Sequence, residues 1–337
     1  MTPLAMMGAS GDDARWMGAA LALAGRGRGR TAPNPCVGCI VVADGIVVGR
    51  GWTQPGGRPH AEAMALAQAG ERARGATAYV TLEPCAVPGR GPACAAALIE
   101  AGIGRVVVGT GDPFPAVNGA GFRALEAAGI ALTVGMRGGE ARASMAGFLT
   151  RQALGRPFVT LKLATSLDGQ IALASGESRW ITGAAARAHA HGERSRHEAI
   201  LVGRGTWDAD APALDVRLPG LEHRSPFRVV LSRRAPDAPG VRWIAEPAAI
   251  GALPCDHLLI EGGAGAAAAF LSADLVDRML LYRAPILIGG AGRAAIGDIG
   301  LATLPEAHGR WRLADARQLG MDRLEVYERA RSAEAGS

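Results

Sequence analysis

The feature that most constrains the fold is a set of metal-binding residue types between positions 60 and 94. His60 opens a predicted helix with Glu62 on its first turn, Cys85 follows Pro84, and Cys94 comes nine positions later. One imidazole and two thiolates suit Zn²⁺, and a fourth position left to water is the pattern of a catalytic zinc site. The chain must therefore fold so that separate loops bring these three ligands to one point.

Glu62 occupies the position of a proton carrier. It lies two residues after His60, so its carboxylate can reach the water of the metal without being a ligand. Zinc lowers the pKa of its water to about 7, and a nearby carboxylate can carry the proton to departing ammonia. The pattern predicts a zinc-dependent hydrolytic deaminase with His60, Cys85 and Cys94 as metal ligands and Glu62 as catalytic residue.

The spacing of the two cysteines departs from the general zinc deaminase pattern. That pattern is H-x-E followed by P-C-x-x-C, whereas eight residues separate Cys85 from Cys94 here. The alternative is a helix-capping histidine with two buried cysteines. We favour the metal site because three ligand types and a carboxylate coincide within one stretch of alternating helix and strand.

Length and composition indicate two globular domains, which we place at residues 1–150 and 155–330. A chain of 337 residues with 49% hydrophobic content can build two cores. No apolar run reaches the length of a membrane span, and Met1 to Ser10 lack a basic leader and a cleavage site. Five cysteines, two of them assigned to metal, fit a reducing compartment. We therefore expect a cytoplasmic enzyme without a membrane partner.

Charge gives little support for nucleic-acid binding. The net charge is +5, but the basic residues are scattered, and the short cluster from Arg26 to Arg30 has no interleaved aromatics. Aromatic residues make up only 4% of the chain, which is poor for base stacking. Lys162 is the one lysine among 36 basic residues, so this position either needs a compact ammonium or keeps it by chance.

The pattern of the first half predicts an α/β sheet covered on both faces. Helices are expected at 12–25, 60–69, 93–101, 121–128 and 139–154, and strands at 34–42, 46–52, 77–82, 105–109 and 130–134, with a hairpin turn at Asp44-Gly45. Cys36 and Cys39 form a CxxC, but residues three apart on a strand point to opposite faces. We interpret them as small core or pocket residues.

A new pattern begins after Gly155-Arg156-Pro157. Strands are expected at 158–165, 198–202 and 257–260, and a helix is expected after Gly183. The turn from Glu261 to Gly265 opens an alanine-rich helix, whose unpaired amides and close-approach glycines suit a dinucleotide phosphate. A tight packing turn between strand and helix would have the same sequence, so the turn alone leaves both interpretations open.

The first half resembles the deaminase half of the bifunctional riboflavin-biosynthesis deaminase/reductase family. The shared motifs are Ala32-Pro33-Asn34-Pro35, His60-Ala61-Glu62, Thr81 to Cys85, Gly89 to Cys94 with the wide cysteine spacing, and Asp112-Pro113. The resemblance implies a cytidine-deaminase-like αβα sandwich. It also implies that Asn34, Arg90 and Asp112 bind the pyrimidine substrate.

The second half resembles the reductase half of the same family, which implies a dihydrofolate-reductase-like α/β domain that uses NADPH. The motifs are Leu161 to Leu163, Ser166 to Gly169, Gly176 to Ser178, Trp180 to Thr182, Asp210 and Glu261 with Gly263. By resemblance, the NADPH-binding residues are Ala164, Trp180, Thr206, Asp210, Ser232, Gly263, Ala264, Gly265, Ala266, Ala267, Ala268 and Ala269. The substrate-binding residues are Ser178, Arg194, Leu214, Arg217 and Glu261, and Lys162 and Asp210 are catalytic.

The chain also departs from the family pattern. Thr53 and Val87 stand where histidines are usual, and Phe114 where asparagine is usual. In the reductase half, Ala211 stands where an acidic or amide residue is usual, and Asp215 where threonine is usual. Besides a bifunctional enzyme acting on a phosphorylated diaminopyrimidinone, an active reductase with a weakened or re-targeted deaminase stays open. So does a nucleic-acid deaminase or a binding module. Family members associate, so we expect a homo-oligomer.

Overall fold

Two large sheets, one in each half of the chain, position the predicted site residues. The computed structural model describes residues 11–87, 92–114, 118–235 and 238–331. The chain divides into two compact units between Gly155 and Arg156. Among the described helices, none combines the length and the apolar character required to cross a bilayer.

The first unit contains a five-stranded sheet of order β2-β1-β3-β4-β5. Its strands are β1 Gly38–Ala43, β2 Ile46–Trp52, β3 Thr77–Leu82, β4 Arg105–Thr110 and β5 Ala131–Val134. Its helices are α1 Gly11–Ala24, α2 Ala61–Ala69, α3 Cys94–Glu100, α4 Ala120–Ala127, α5 Gly138–Ser144 and α6 Ala146–Leu154. β1 runs antiparallel to β2 and β3, whereas β3, β4 and β5 are parallel.

Alternation along the strands supplies both faces of this sheet with apolar side chains. Cys39 and Val41 of β1 belong to the core beneath α2 and α3, while Ile40 and Val42 pack with Met17 of α1 on the other face. Helices therefore cover both faces of the sheet, which is the predicted αβα arrangement. The carboxyl end of β3 lies next to that of β4, so the loops that follow these strands share one edge.

Most predicted elements of this unit are confirmed within one or two residues. Three expectations are wrong: the strand at 34–42 was placed too early, Cys36 and Cys39 do not share a strand, and the helix at 139–154 is not continuous. Residues 34–37 precede β1, so Cys36 and Cys39 are not related by strand alternation and both lie in the same core cluster. The helix predicted at 139–154 is two helices that meet at Met145, where φ is −111°. The Ser144 hydroxyl donates to the Ala141 carbonyl at 2.8 Å, a local bond that competes with helix continuation.

The second unit contains an eight-stranded sheet of order β10-β9-β8-β11-β6-β12-β15-β14 and a small sheet of β13 and β7. Its strands are β6 Phe158–Thr165, β7 Gln170–Ala172, β8 Ala199–Gly203, β9 Phe227–Leu231, β10 Arg242–Ile244, β11 His257–Ile260, β12 Arg278–Arg283, β13 Arg293–Ala294, β14 Trp311–Leu319 and β15 Asp322–Arg329. Its helices are α7 Ala184–Arg194, α8 Arg204–Asp210 and α9 Ala264–Ser272.

Six strands of the large sheet, from β10 to β12, are parallel, and β15 and β14 are added antiparallel. Phe270 of α9 packs with Leu161 of β6 on one face, and Ala190 of α7 packs with Leu280 and Tyr282 of β12 on the other. Ligands of such sheets bind at the carboxyl ends of the strands. β8, β9 and β11 end at Gly203, Leu231 and Ile260, directly before predicted cofactor residues.

Candidate functional site

The three predicted metal ligands lie together in the first unit. The ligand atoms of His60, Cys85 and Cys94 all lie within 4.8 Å of one another. His60 Nδ1 is 3.3 Å from Cys94 Sγ and 3.7 Å from Cys85 Sγ. His60 is the residue that precedes α2, Cys85 follows β3, and Cys94 begins α3, so local structure fixes each ligand. One nitrogen and two sulfurs at this spacing fit the donor set of zinc.

The electrostatics of this cluster favour a thiolate beside a carboxyl group that titrates near neutrality. Hydrogen bonds from Cys94 and His60 lower the pKa of Cys85 to about 4, against the opposing effect of burial. Its partner Cys94 has a pKa raised above the usual range, first by its bond to Cys85 and then by burial. Glu62 is only 4% exposed, and this burial raises its pKa to about 6. A carboxyl group of that pKa can both accept and donate a proton at neutral pH.

Two of the three predicted substrate residues of this unit, Asn34 and Asp112, lie in loops that the structure describes. The Asn34 side chain packs against Gly57, where an added Cβ would lie 2.0 Å from Asn34 Nδ2. Asp112 is buried, and its carboxylate accepts from the Phe114 amide at 2.9 Å. Burial raises the pKa of Asp112, and the charges of Glu83 and Cys85 add to this effect. Arg90 lies outside the described residues.

The positions that depart from the family pattern differ in their exposure. Thr53 is buried, and its hydroxyl accepts from the Val37 amide at 3.0 Å. Val87 and Phe114 are 49% and 45% exposed. The Thr53 side chain therefore stabilises the local backbone by accepting a hydrogen bond, whereas Val87 and Phe114 present apolar side chains to solvent.

In the second unit, a cavity of about 800 Å³ lies where β8 and β11 end. Proteins bind ligands of cofactor size in cavities of this order. The predicted residues that line it are Lys162, Ala164, Ser178, Trp180, Arg194, Thr206, Asp210, Glu261, Gly263, Ala264, Gly265 and Ala266. Most of the predicted reductase site therefore faces one space.

Glu261 is the electrostatic centre of this cavity. Its carboxylate accepts from Arg194 Nε at 2.7 Å and Nη2 at 2.9 Å, and Lys162 Nζ lies 3.6 Å away. Burial opposes the ionisation of Glu261, but Lys162 and Arg194 lower its pKa to about 2. The carboxylate is thus charged at neutral pH and fixes the positions of two cationic side chains.

The remaining predicted reductase residues do not line this cavity. Ser232 lies in a second cavity of about 490 Å³, together with Arg204, Arg233 and Arg234. Ala267 and Ala268 are buried, Ala269 is half-buried, and Leu214 lies in a core cluster beneath β8. Arg217 is largely exposed and pairs with Asp215 at 3.5 Å. The roles predicted for these residues stay predictions.

Comparison with known proteins places both halves in one family. The family model of the cytidine and deoxycytidylate deaminase zinc-binding region matches residues 10–110, and that of the RibD C-terminal domain matches 157–249 and 248–324. The riboflavin biosynthesis protein RibD of Escherichia coli is 40% identical and covers 91% of this chain and 94% of its own. The chain belongs to the RibD family. The expected fold class, a cytidine-deaminase-like domain followed by a reductase domain of the RibD type, is confirmed.

Solved RibD structures resemble the whole chain. RibD of Acinetobacter baumannii (form 1) has a TM-score of 0.85 at 39% identity and covers 95% of this chain and 99% of its own. A diaminohydroxyphosphoribosylaminopyrimidine deaminase/5-amino-6-(5-phosphoribosylamino)uracil reductase of Thermotoga maritima has a TM-score of 0.85 at 32% identity, covering 94% and 98%. RibD of Aquifex aeolicus is 37% identical and covers 94% of this chain and 98% of its own.

Four arginines of the RibD reductase cavity were not expected from the sequence. The cavity is also lined by Arg179, Arg187, Arg204 and Arg293. Arg187 stacks over the Trp180 ring at 4.6 Å and donates to the Thr182 carbonyl at 2.6 Å, and Arg179 pairs with Asp210 at 3.3 Å. Nearly every basic residue of the chain is an arginine, so no single one was distinguished by its residue type.

Proposed function

We propose that residues 1–150 form the deaminase and residues 155–330 the reductase of one bifunctional enzyme. The chain acts in riboflavin biosynthesis with zinc and NADPH as its cofactors. It deaminates 2,5-diamino-6-ribosylamino-4(3H)-pyrimidinone 5′-phosphate and then reduces the ribosyl chain to ribityl. The observation that carries this proposal is that each half brings together the central side chains of one reaction. These are the His60, Cys85 and Cys94 cluster with Glu62, and the cavity around Lys162 and Glu261.

In the deaminase half, His60, Cys85 and Cys94 would hold the zinc ion. Zinc, when bound, acts as a Lewis acid that lowers the pKa of water, so that a nucleophile is available at neutral pH. Glu62 would accept a proton at its carboxylate as water adds to the amino-bearing ring carbon. It would then return the proton to the amino group, which leaves as ammonia. Asn34, Arg90 and Asp112 would orient the pyrimidine and its phosphate.

In the reductase half, the cavity residues would hold NADPH, which supplies the hydride. Gly265 leaves the start of α9 open to a phosphate, since an added Cβ there would meet nothing within 4 Å. The Gly263 amide donates to the Thr206 hydroxyl at 3.2 Å. Ser232 with Arg204, Arg233 and Arg234 would add positive charge for a further phosphate.

The substrate would lie over Lys162, with its phosphate held by Ser178, Arg194 and Arg217. Lys162 would deliver a proton from Nζ to the ribose ring oxygen as the anomeric carbon is reduced and the ring opens. Glu261 supports this role because its carboxylate pairs with both Lys162 and Arg194. Asp210, which pairs with Arg179, would take part in the same proton transfer. Leu214 has φ of +55° and would set the loop that leads to Arg217.

The partner of the enzyme is a small phosphorylated pyrimidine. We further propose that it works in the cytoplasm without nucleic acid or membrane. The scattered basic residues, the 4% aromatic content and five cysteines that form no disulfide among the described residues support this. Association of copies is supported by β14, which lies at one edge of the large sheet.

A two-stage assay tests the function. Purified protein is mixed with the diaminopyrimidinone ribosyl phosphate while ammonia is measured, and NADPH is added after ammonia release has ended. We expect ammonia without NADPH and a fall in cofactor absorbance only afterwards. Consumption of NADPH only when deaminated substrate is supplied would refute the deaminase assignment.

A further inference from the structure

Glu83 is a buried carboxylate that the proposed mechanism does not use. It is 3% exposed and lies between the end of β3 and the metal ligand Cys85. Its Oε2 accepts from the amides of Asp112 at 3.3 Å and Gly119 at 3.0 Å, and its Oε1 accepts from the Gly121 amide at 2.9 Å. Within the described ranges, no cationic side chain forms an ion pair with it. A buried charge is costly unless it is satisfied, and here backbone amides of one segment satisfy it.

That segment, of which the structure describes residues 111–114 and 118–121, carries the predicted substrate residue Asp112 and ends in the first turn of α4; we call it the Asp112 segment. Its residue Gly121 packs against Glu83 and Pro84, which with Cys85 form what we call the metal loop. An added Cβ at Gly121 would lie 2.0 Å from the Pro84 carbonyl oxygen and 3.2 Å from Glu83 Cγ. The Glu83 amide donates to the Thr110 carbonyl at 2.9 Å, which continues the pairing of β3 with β4. The side chain and backbone at positions 83 and 84 thus join the metal loop to the Asp112 segment.

We infer that Glu83 is a positioning residue for deamination, one that sets Asp112 relative to the metal ligands. This inference rests on the proposed function. The carboxylate is required because both of its oxygens accept hydrogen bonds. The glutamine side chain has one carbonyl oxygen and one amide NH₂ group. One of the two acceptor sites would therefore become a donor that faces a backbone N–H.

The test compares Glu83→Gln with Asp13→Asn. Asp13 is a matched control, since it is also a buried carboxylate of the first unit, and its bonds to Tyr79 and Arg105 join α1 to β3 and β4. We expect Glu83→Gln to raise the KM for deamination by about 10- to 100-fold, the effect of leaving a buried donor unpaired, with a smaller change in kcat. Zinc content and reduction of deaminated substrate should stay unchanged, and Asp13→Asn should leave the deamination KM at the wild-type value.

A role through Asp112 also predicts coupling. The double variant Glu83→Gln with Asp112→Asn should have the same KM as Asp112→Asn alone, because each change removes the same positioned contact. Glu83→Asp keeps the carboxylate but shortens the side chain by one methylene group, so its KM should be intermediate. This variant replaces Glu83→Gln in the test if the glutamine variant folds poorly. Independent, additive effects, an equal loss in Asp13→Asn, or a wild-type KM in Glu83→Gln would overturn the inference.

Amide hydrogen exchange tests the positioning separately from turnover. The amides of Asp112, Gly119 and Gly121 should exchange about tenfold faster in Glu83→Gln, while those of β3 keep their protection. Unchanged exchange at these amides overturns the inference even in an active enzyme. If the wild-type protein released no ammonia, the proposed function would fail, but the exchange result would still decide whether Glu83 holds the segment.

Discussion

Replacing Glu261 by glutamine should destabilise the second unit in a pH-dependent way. The carboxylate is 8% exposed and lies between Arg194, 13% exposed, and Lys162, 21% exposed. Burial alone would raise its pKa, but the two cations lower it from 4.5 to about 2. This difference corresponds to about 3 kcal/mol of preference for the charged form in the folded state. Glu261→Gln should therefore reduce the free energy of unfolding by about 3 kcal/mol at pH 7.

The sign of the pH dependence follows from the lowered pKa. A carboxylate whose pKa is lower in the folded state stabilises above its unfolded pKa, and that stabilisation is lost as the pH falls through the folded value. The difference in the free energy of unfolding between wild type and Glu261→Gln should reach its full value above about pH 5 and should shrink between about pH 4.5 and pH 2.

Urea unfolding of both proteins at a series of pH values measures this difference. Glu328→Gln is the control, because Glu328 pairs with Arg312 on an exposed surface and should cost less than about 1 kcal/mol. A loss below about 1 kcal/mol for Glu261→Gln at pH 7, or one that does not change with pH, would refute the reasoning.

Three further changes test other parts of the structure. Gly57→Ala places a Cβ 2.0 Å from Asn34 Nδ2 at φ of +86°, and we expect about a tenfold higher KM for deamination with zinc retained. The control is Gly56→Ala, which has φ of +77° but nothing within 4 Å, and equal effects would contradict a role for Asn34. Asp277→Asn removes the charge that pairs with Arg156 and one of the two oxygens that accept from Arg156 and the Val159 amide; it should cost the second unit about 3–5 kcal/mol in urea unfolding, and a cost near zero would contradict this. Arg204→Ala with Arg234→Ala should raise the KM for NADPH about 10- to 100-fold and leave that for NADH unchanged; equal effects on both cofactors would argue against a phosphate contact.

The sequence predicted the metal cluster because its information is local. His60 is the residue before α2 and Glu62 lies on its first turn, and Cys85 and Cys94 each lie beside a strand end or a helix start. The same applies to the hairpin at Asp44-Gly45, where the strands β1 and β2 pair as expected. The motif identifies the ligands before the fold is known.

Features that depend on distant partners could not be predicted in this way. Glu83 bonds to amides 29 to 38 residues away, and nothing in its own neighbourhood indicates those partners. Arg187 became a cavity residue through its stacking on Trp180, although its residue type is common in this chain. α8, at Arg204–Asp210, was not predicted, because Gly203 and Gly205 at its start disfavour a helix.

The central claim is that the first half uses a metal held by His60, Cys85 and Cys94 with Glu62 as proton carrier. The most direct measurement is ammonia release from the diaminopyrimidinone ribosyl phosphate without NADPH, for wild type and Glu62→Gln, with the zinc content of both determined by elemental analysis. We predict equal zinc in the two proteins, with ammonia released by the wild type alone. A wild-type protein without zinc, or a glutamine variant that releases ammonia at the wild-type rate, would contradict the account.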